Sequence, residues 1–174
     1  MVHIFYTYFC HKFNLLMLLI FIGVYISVLL YSANRNLWLD EAMLAYSLNT
    51  RSFFNLASSV LDMDQSAPVL YLYAIKIITL IFGSSELTLR IFSFISFMGV
   101  LVLVYLLSKN AFTLKYPILC TAFVSNISVL LYYSNEFKPY MNDCFSVLFI
   151  LYLYYLFKKD KLNLIMLTII YSAI

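Results

Sequence analysis

The sequence predicts an all-α integral membrane protein, and two observations carry that prediction. Hydrophobic residues make up 64% of the chain and charged residues only 11%, whereas a soluble domain is about half apolar and about a quarter charged. The apolar runs are long and continuous rather than alternating with a period of two, which favours membrane helices over a β-barrel. The 16 Tyr and 16 Phe residues fit helices with aromatic belts at the lipid headgroups.

Charge and cysteine content argue against two other classes. The net charge of +3 is small and no basic stripe interleaves with aromatic residues, so we expect no nucleic-acid partner. Cys10, Cys120 and Cys144 are scattered through or beside apolar runs. They have neither metal-ligand spacing nor the pattern of a disulfide framework, so we interpret them as small apolar side chains.

Five apolar segments are predicted to span the bilayer within a single membrane domain, residues 1–174. They are residues 13–33, 87–108, 116–133, 141–157 and 162–174. The first is interpreted as an uncleaved anchor, because it is too long for a signal peptide and Tyr31 stands where cleavage needs a small residue. The last is too short to cross a core of about 30 Å. We therefore expect the chain to be the N-terminal part of a longer protein.

Three short helices are predicted to lie at the outer interface, over residues 39–48, 53–61 and 68–82. The third is apolar, but at about 22 Å it is too short to span, and Lys76 would lie at its middle. If it spanned, most Lys and Arg residues would lie outside. If it lies flat, the lysines of the predicted inner loops all lie inside, as the positive-inside rule requires. This choice predicts a multi-pass protein with a cytoplasmic N-terminus.

Two charged features are predicted on the same outer face. Asp40 and Glu41 follow the only tryptophan, Trp38, where the first span emerges; Glu136 and Lys138 lie between the third and fourth spans. Ionisable groups near a membrane are costly and so are functional candidates. Helix capping and the solvation of an outer loop explain the same charges without any function, and composition alone leaves both readings open.

These residue types suit one kind of chemistry. A carboxylate at the interface can orient or deprotonate a hydroxyl acceptor, while cations bind a donor phosphate and stabilise it as a leaving group. Lys76, Arg90 and Lys138 are the predicted outer-face cations nearest to that role, and Arg90 is also expected to extend towards the outer headgroups. The sequence has no glycine-rich phosphate loop, Ser-His-Asp arrangement or Cys/His metal set.

Four stretches recur in the order of a known family. They are W-L-D-E-A at 38–42, P-V-L-Y-L-Y at 68–73, F-G-S-S-E-L-T-L-R at 82–90 and Y-Y-S-N-E-F-K-P-Y at 132–140. Their order and spacing resemble the N-terminal part of GT-C-type membrane glycosyltransferases. The most similar groups are protein O-mannosyltransferase-like and lipid A aminoarabinose transferase-like enzymes.

The resemblance implies an inverting hexosyl- or pentosyltransferase of the plasma (inner) membrane. Its donor would be a polyprenyl-phosphate-linked sugar, and its acceptor a glycan, lipid or protein hydroxyl on the extracytoplasmic face. Asp40 would be the functional acid, assisted by Glu41. The implied substrate-binding residues are Glu136, Lys138, Lys76, Arg90 and Tyr140.

The chain also departs from the family pattern. Many relatives carry a His just before the Pro that opens the third interfacial helix, where this chain has Gln65, Ser66 and Ala67. No metal ligand is therefore assigned, and a divalent cofactor is left open. Because relatives are several times longer, a non-catalytic scaffold or degenerate remnant is the alternative function. A transporter or channel is disfavoured, since the spans hold few polar groups and no paired broken helices.

Overall fold

The computed structural model describes residues 2–159, with side chains from residue 14 onwards. Every regular element among these residues is helical, which confirms the predicted all-α membrane class. Three helical stretches are long and apolar enough to cross a bilayer: Asn14–Ser32, Glu86–Ala111 and Tyr140–Lys158. The predicted span at 162–174 lies outside the described residues.

The described elements follow one another with short connections. They are α1 (Val2–Ser32), α2 (Leu39–Thr50), α3 (Phe53–Ser58), α4 (Val69–Phe82), α5 (Glu86–Leu106), α6 (Pro117–Val124), α7 (Ser128–Tyr133) and α8 (Tyr140–Lys158). A 3-10 turn at Asp62–Asp64 precedes α4, and a π-helical turn at Leu107–Ala111 extends α5. Helices α2, α3 and α4 occupy the three segments for which interfacial helices are predicted. Their location at the interface stays a prediction.

Local sequence signals explain where several helices begin and end. Ser52 and Ser85 each accept a hydrogen bond from the backbone N–H three residues later, at 3.2 and 3.3 Å, and so cap α3 and α5. Gly83 ends α4 with a φ of 82°, a conformation that side-chain-bearing residues rarely adopt. The sharp stop lets α5 start three residues later in a new direction.

Helix α5 is the central element, because it packs against α1, α4, α6, α7 and α8. Its contact with α8 is close at Gly99, where a Cβ atom would lie 2.5 Å from the ring of Phe145. Phe97 and Val100 of α5 are buried there together with Met141 of α8. This core holds the membrane-length helices together.

A second core joins the short helices to the start of α5. Leu44 and Leu48 of α2 pack with Leu72 and Ile75 of α4, and all four are almost completely buried. Phe137, from the connection between α7 and α8, inserts its fully buried ring into the same cluster. The cluster therefore fixes the amino end of α2 beside α5 and the α7–α8 connection.

The segment 116–133, predicted as a single span, contains two helices separated at Ser125. The Asn126 side chain donates hydrogen bonds to the carbonyls of Ala122 at 2.9 Å and of Leu19 on α1 at 3.0 Å. Gly23 of α1 lies against the backbone of Ser125 so closely that a Cβ atom would overlap its carbonyl oxygen. The sequence prediction missed this break because an apolar run does not reveal polar side chains that bond locally to the backbone.

Candidate active site

Glu41 lies in the first turn of α2, where a carboxylate is favoured by the helix dipole. Trp38 precedes the helix with extended backbone angles, and its N–H donates to the Glu41 carboxylate at 2.9 Å. This is the backbone contact that a Glu at the third helical position makes in a capping box. The side chain is thereby turned back towards the start of the helix and into the protein.

Four residues converge on the Glu41 carboxylate. Arg90 of α5 donates from Nη2 at 3.0 Å and from Nε at 3.4 Å. Arg35 donates from Nη1 at 2.9 Å, and the backbone N–H of Phe137 donates at 2.6 Å. Together with Trp38, these contacts join the end of α1, α2, α5 and the α7–α8 connection through one carboxylate. We call Glu41, Arg35 and Arg90 the Glu41 cluster.

The Glu41 carboxylate is ionised and held rigidly. Its side chain is 1% exposed and that of Arg90 is 2% exposed. Burial by itself would raise the pKa of the carboxyl, but hydrogen bonds from Arg90, Phe137 and Trp38 outweigh it and hold the pKa below its ordinary value. Both carboxylate oxygens accept hydrogen bonds from donors within the protein, so Glu41 ties the surrounding segments together.

The position of Arg90 corrects an expectation from the sequence. Arg90 was predicted to extend towards the outer headgroups and to contact a donor phosphate. Its guanidinium instead lies inside the protein, where Nη1 donates to the carbonyl of Arg35 at 2.6 Å and Nη2 to that of Asn36 at 3.3 Å. Arg90 can be buried because the Glu41 carboxylate and two backbone carbonyls accept hydrogen bonds from its guanidinium. Lipid headgroups would otherwise have to accept these bonds.

Asp40 has the opposite environment from its neighbour. Its side chain is 58% exposed, and its Oδ2 lies 3.2 Å from the ammonium of Lys138. The same Lys138 Nζ donates to the side-chain oxygen of Gln65 at 2.9 Å. Lys138 is itself mostly buried, with 10% of its side chain exposed. An accessible carboxylate therefore stands beside a cation whose position is set by two oxygen partners.

A cleft of about 520 Å³ opens beside this pair. Asp40, Glu136 and Tyr140 line it, with Trp38 and Tyr133 among the aromatic walls. The rings of Tyr133 and Tyr140 meet edge to face with centroids 4.9 Å apart. The cleft thus combines two carboxylates with flat apolar surfaces, an arrangement suited to a ligand with hydroxyl groups and apolar faces.

Glu136 is the less accessible carboxylate of the cleft. Its side chain is 10% exposed, and its Oε1 lies 3.6 Å from Nη2 of Arg35. Burial raises the pKa of Glu136, and the nearby charge of Glu41 acts in the same direction. A carboxyl with a raised pKa holds its proton to a higher pH, so Glu136 can serve as a hydrogen-bond partner for a ligand.

Lys76 lies apart from the cleft. Its ammonium donates to the carbonyl of Leu48 at 2.6 Å, near the carboxyl end of α2. Leu48 is eight residues along the helix from Asp40, or about 12 Å. In this position Lys76 donates to a backbone carbonyl near the end of α2, as cations near a helix C-terminus commonly do. The structure does not bring it together with Asp40, Glu136, Lys138 and Tyr140.

Two residues of the site were missed by sequence reasoning. Arg35 was not a candidate, yet it bridges Glu41 and Glu136 and lies 5.6 Å from the ring centroid of Trp38. Gln65 was noted only as a departure from the family pattern, yet it accepts a hydrogen bond from Lys138. No local sequence pattern signals either contact, because both depend on tertiary packing.

In the described part of the chain, the side chains that could bind a metal ion are not grouped into a site. Among residues 14–159, no three His, Cys, Asp or Glu side chains are grouped so that they could hold a metal ion. Asp40 and Glu136 line one cleft, but the ammonium of Lys138 already neutralises Asp40. The described side chains therefore form no preassembled site for a divalent ion.

Comparison with known proteins identifies the family. Residues 66–172 match the family described as dolichyl-phosphate-mannose-protein mannosyltransferase, a match that spans well over half of the chain. No curated protein and no solved structure matches the chain. The matched region contains Arg90, Glu136 and Lys138, and the Glu41 carboxylate ties the preceding segment to it. The chain belongs to the dolichyl-phosphate-mannose-protein mannosyltransferase family of GT-C-type membrane glycosyltransferases.

Proposed function

We propose that the protein transfers a sugar from a polyprenyl-phosphate donor to an acceptor hydroxyl on the extracytoplasmic face, in the cleft beside Asp40. The observation that carries this proposal is the pairing of an exposed carboxylate, which lines that cleft, with a mostly buried ammonium. Asp40 is 58% exposed and Lys138 lies 3.2 Å away. Family membership supports a glycosyltransferase and a lipid-phosphate donor.

The geometry assigns the two groups different tasks. The donor phosphate approaches from the bilayer and attracts Lys138, which weakens the contact between Lys138 and Asp40. The freed Asp40 carboxylate then accepts the proton of the acceptor hydroxyl. The acceptor oxygen forms a bond to the anomeric carbon, the bond from that carbon to the phosphate oxygen breaks, and polyprenyl phosphate leaves with its charge neutralised by Lys138. A direct displacement of this kind inverts the anomeric centre.

Arg35 and Tyr140 complete the proposed site. The Arg35 side chain is 32% exposed, binds Glu41, and lies 3.6 Å from Glu136, which lines the cleft. It would supply a second positive charge near the leaving phosphate. The exposed ring of Tyr140 would pack against a face of the sugar or acceptor, since aromatic rings bury apolar surface at little conformational cost.

A donor assay tests the class of reaction. The full-length protein in liposomes is supplied either with polyprenyl-phosphate mannose or with the corresponding nucleotide sugar, and transfer to an acceptor extract is measured. We expect transfer only from the lipid-linked donor, and Lys138→Gln to lower kcat/KM about a hundredfold, the usual scale for a lost charge-stabilising donor. Lys76→Gln is the matched control, and its kcat/KM should change little.

Two outcomes would overturn the assignment. Transfer from the nucleotide sugar in the absence of lipid donor would exclude a polyprenyl-phosphate enzyme. Equal losses from Lys138→Gln and Lys76→Gln would show that the cleft cation has no special part in the reaction. A protein that folds normally and transfers sugar from neither donor would favour the non-catalytic alternative.

A further inference from the structure

A second cavity lies at the opposite end of the membrane-length helices from the Glu41 cluster. This groove of about 590 Å³ runs between α1, α5 and α6. Tyr105, which lines it, is 15 residues along α5 from Arg90, or about 22 Å. Its apolar walls come from Met17, Ile20, Leu101, Val102 and Ile118. The groove is separate from the candidate active site and faces the surrounding lipid.

Two lysines stand at the mouth of the groove. Lys115 lines it directly, with Nζ 5.3 Å from the ring centroid of Tyr116. Lys109 lies with Nζ 5.6 Å from the ring centroid of Tyr105. Both lysines are exposed, and neither forms an ion pair with any carboxylate of residues 14–159. The apolar groove therefore opens beside two ammonium groups that lack an anionic partner in the described structure.

We propose that this groove binds an anionic phospholipid. One acyl chain lies along the apolar walls, and the phosphate meets Lys109 and Lys115. Charge complementarity selects this occupant, because an apolar helix brings no anionic group to the two lysines and the choline of a zwitterionic lipid offsets the charge of its phosphate. With the N-terminus in the cytoplasm, the groove faces the inner leaflet, which is the anionic one. The site does not depend on the proposed transfer reaction.

Native mass spectrometry of the full-length protein in neutral detergent tests the proposal. The protein is titrated with phosphatidylglycerol or with phosphatidylcholine of identical acyl chains, and dissociation constants are taken from the bound fractions. We expect phosphatidylglycerol to bind tighter. Loss of Lys115 alone, in Lys115→Gln, should weaken its binding about fivefold, and loss of both mouth lysines about twenty-fivefold.

Three further arms make the test specific. The pair Lys158→Gln and Lys159→Gln removes two lysines at the same end of the protein that do not line the groove, and it should weaken binding by less than about threefold. Val102→Trp should fill the groove and lower phosphatidylglycerol affinity with both mouth lysines intact. Glycerol phosphate, which has the headgroup charge but no chain, should not compete.

The proposal fails on any of three results. Equal affinity for the two lipids would mean that the charges do not select the ligand. Equal losses of phosphatidylglycerol affinity from the mouth and control lysine pairs would indicate that only the general surface charge attracts the lipid. Absence of saturable phosphatidylglycerol binding would mean that something else, such as a further helix of the protein, fills the groove.

Discussion

At the scale of single residues, the adjacent acids Asp40 and Glu41 have different surroundings, because they point in different directions from one helix turn. Glu41 is buried and accepts hydrogen bonds from Arg35, Trp38, Arg90 and Phe137. Asp40 is exposed beside the cleft. A buried carboxylate with these partners serves positioning, whereas an accessible one can take part in proton transfer.

Replacing Glu41 tests its positioning role through stability. Glu41→Gln leaves the buried Arg90 guanidinium without its counter-charge, and removing one partner of a buried pair costs about 3 kcal/mol or more. We expect a large fall in the unfolding temperature of the purified protein in detergent. Asp64→Asn, at an exposed acid of the same region, is the matched control. Equal stability of the two variants would contradict the role of Glu41.

The Glu41 cluster also predicts a pH dependence. The folded pKa of Glu41 is below its ordinary value of 4.5, so its ionised form binds its partners more strongly in the folded state. This contribution is complete above about pH 4.5 and is lost as the pH falls through the lower folded pKa. The difference in unfolding temperature between wild type and Glu41→Gln should therefore shrink below about pH 4.5. If the difference in unfolding temperature instead grew as the pH fell, the predicted direction of the Glu41 pKa shift would be wrong.

Sequence reasoning predicted Asp40, Glu136, Lys138 and Tyr140 on one face. In the structure Asp40, Glu136 and Tyr140 line one cleft, and Lys138 pairs with Asp40 beside it. It could not distinguish the orientations of Asp40 and Glu41, because both are favoured in the first turn of a helix. The burial of Arg90 was equally hidden, since it depends on a partner 49 residues away. Such contacts arise from tertiary packing, which local patterns do not encode.

At the scale of elements, the connection of α6 to α7 is the feature that the sequence did not reveal. Asn126 bonds to α1, and Gly23 lets the backbone of Ser125 approach that helix. The helix interruption is satisfied by protein groups, as polar backbone within a membrane must be. Apolar runs predicted where helical segments lie but not whether each is continuous.

Two glycines on neighbouring helices give a graded prediction. A Cβ at Gly23 would overlap backbone of Ser125, whereas at Gly99 it would meet only the Phe145 ring, which can move. Gly23→Ala should therefore cost about 1–3 kcal/mol, in the range of an overpacked core, while Gly99→Ala should cost less. The midpoints of unfolding in denaturant would show the order, and a more damaging Gly99→Ala would contradict it.

At the scale of the whole molecule, composition alone was sufficient for the all-α membrane class, because so much apolar surface needs a lipid environment. The side on which each loop lies rests on the distribution of lysines. From that distribution we predict that α4 is an interfacial helix and that the cleft lies on the extracytoplasmic face.

Cysteine labelling tests this topology. In a background without native cysteines, single cysteines at Asp64 and Phe112, both exposed positions, are treated in intact cells with a membrane-impermeant reagent. Position 64 should react from outside and position 112 only after permeabilisation. Labelling of position 112 from outside would mean that α4 spans the bilayer and that the cleft is not where the account requires it.

The most direct test of the central claim is sugar transfer by Asp40→Asn in the full-length protein. The substitution keeps the size of the side chain and its acceptor for the Glu41 N–H, but removes the base. With polyprenyl-phosphate mannose as donor, we predict that kcat falls about a hundredfold or more, within the usual contribution of a general base, while Asp64→Asn remains at the wild-type rate. Wild-type kcat in Asp40→Asn would contradict the assignment of this cleft as the site of transfer.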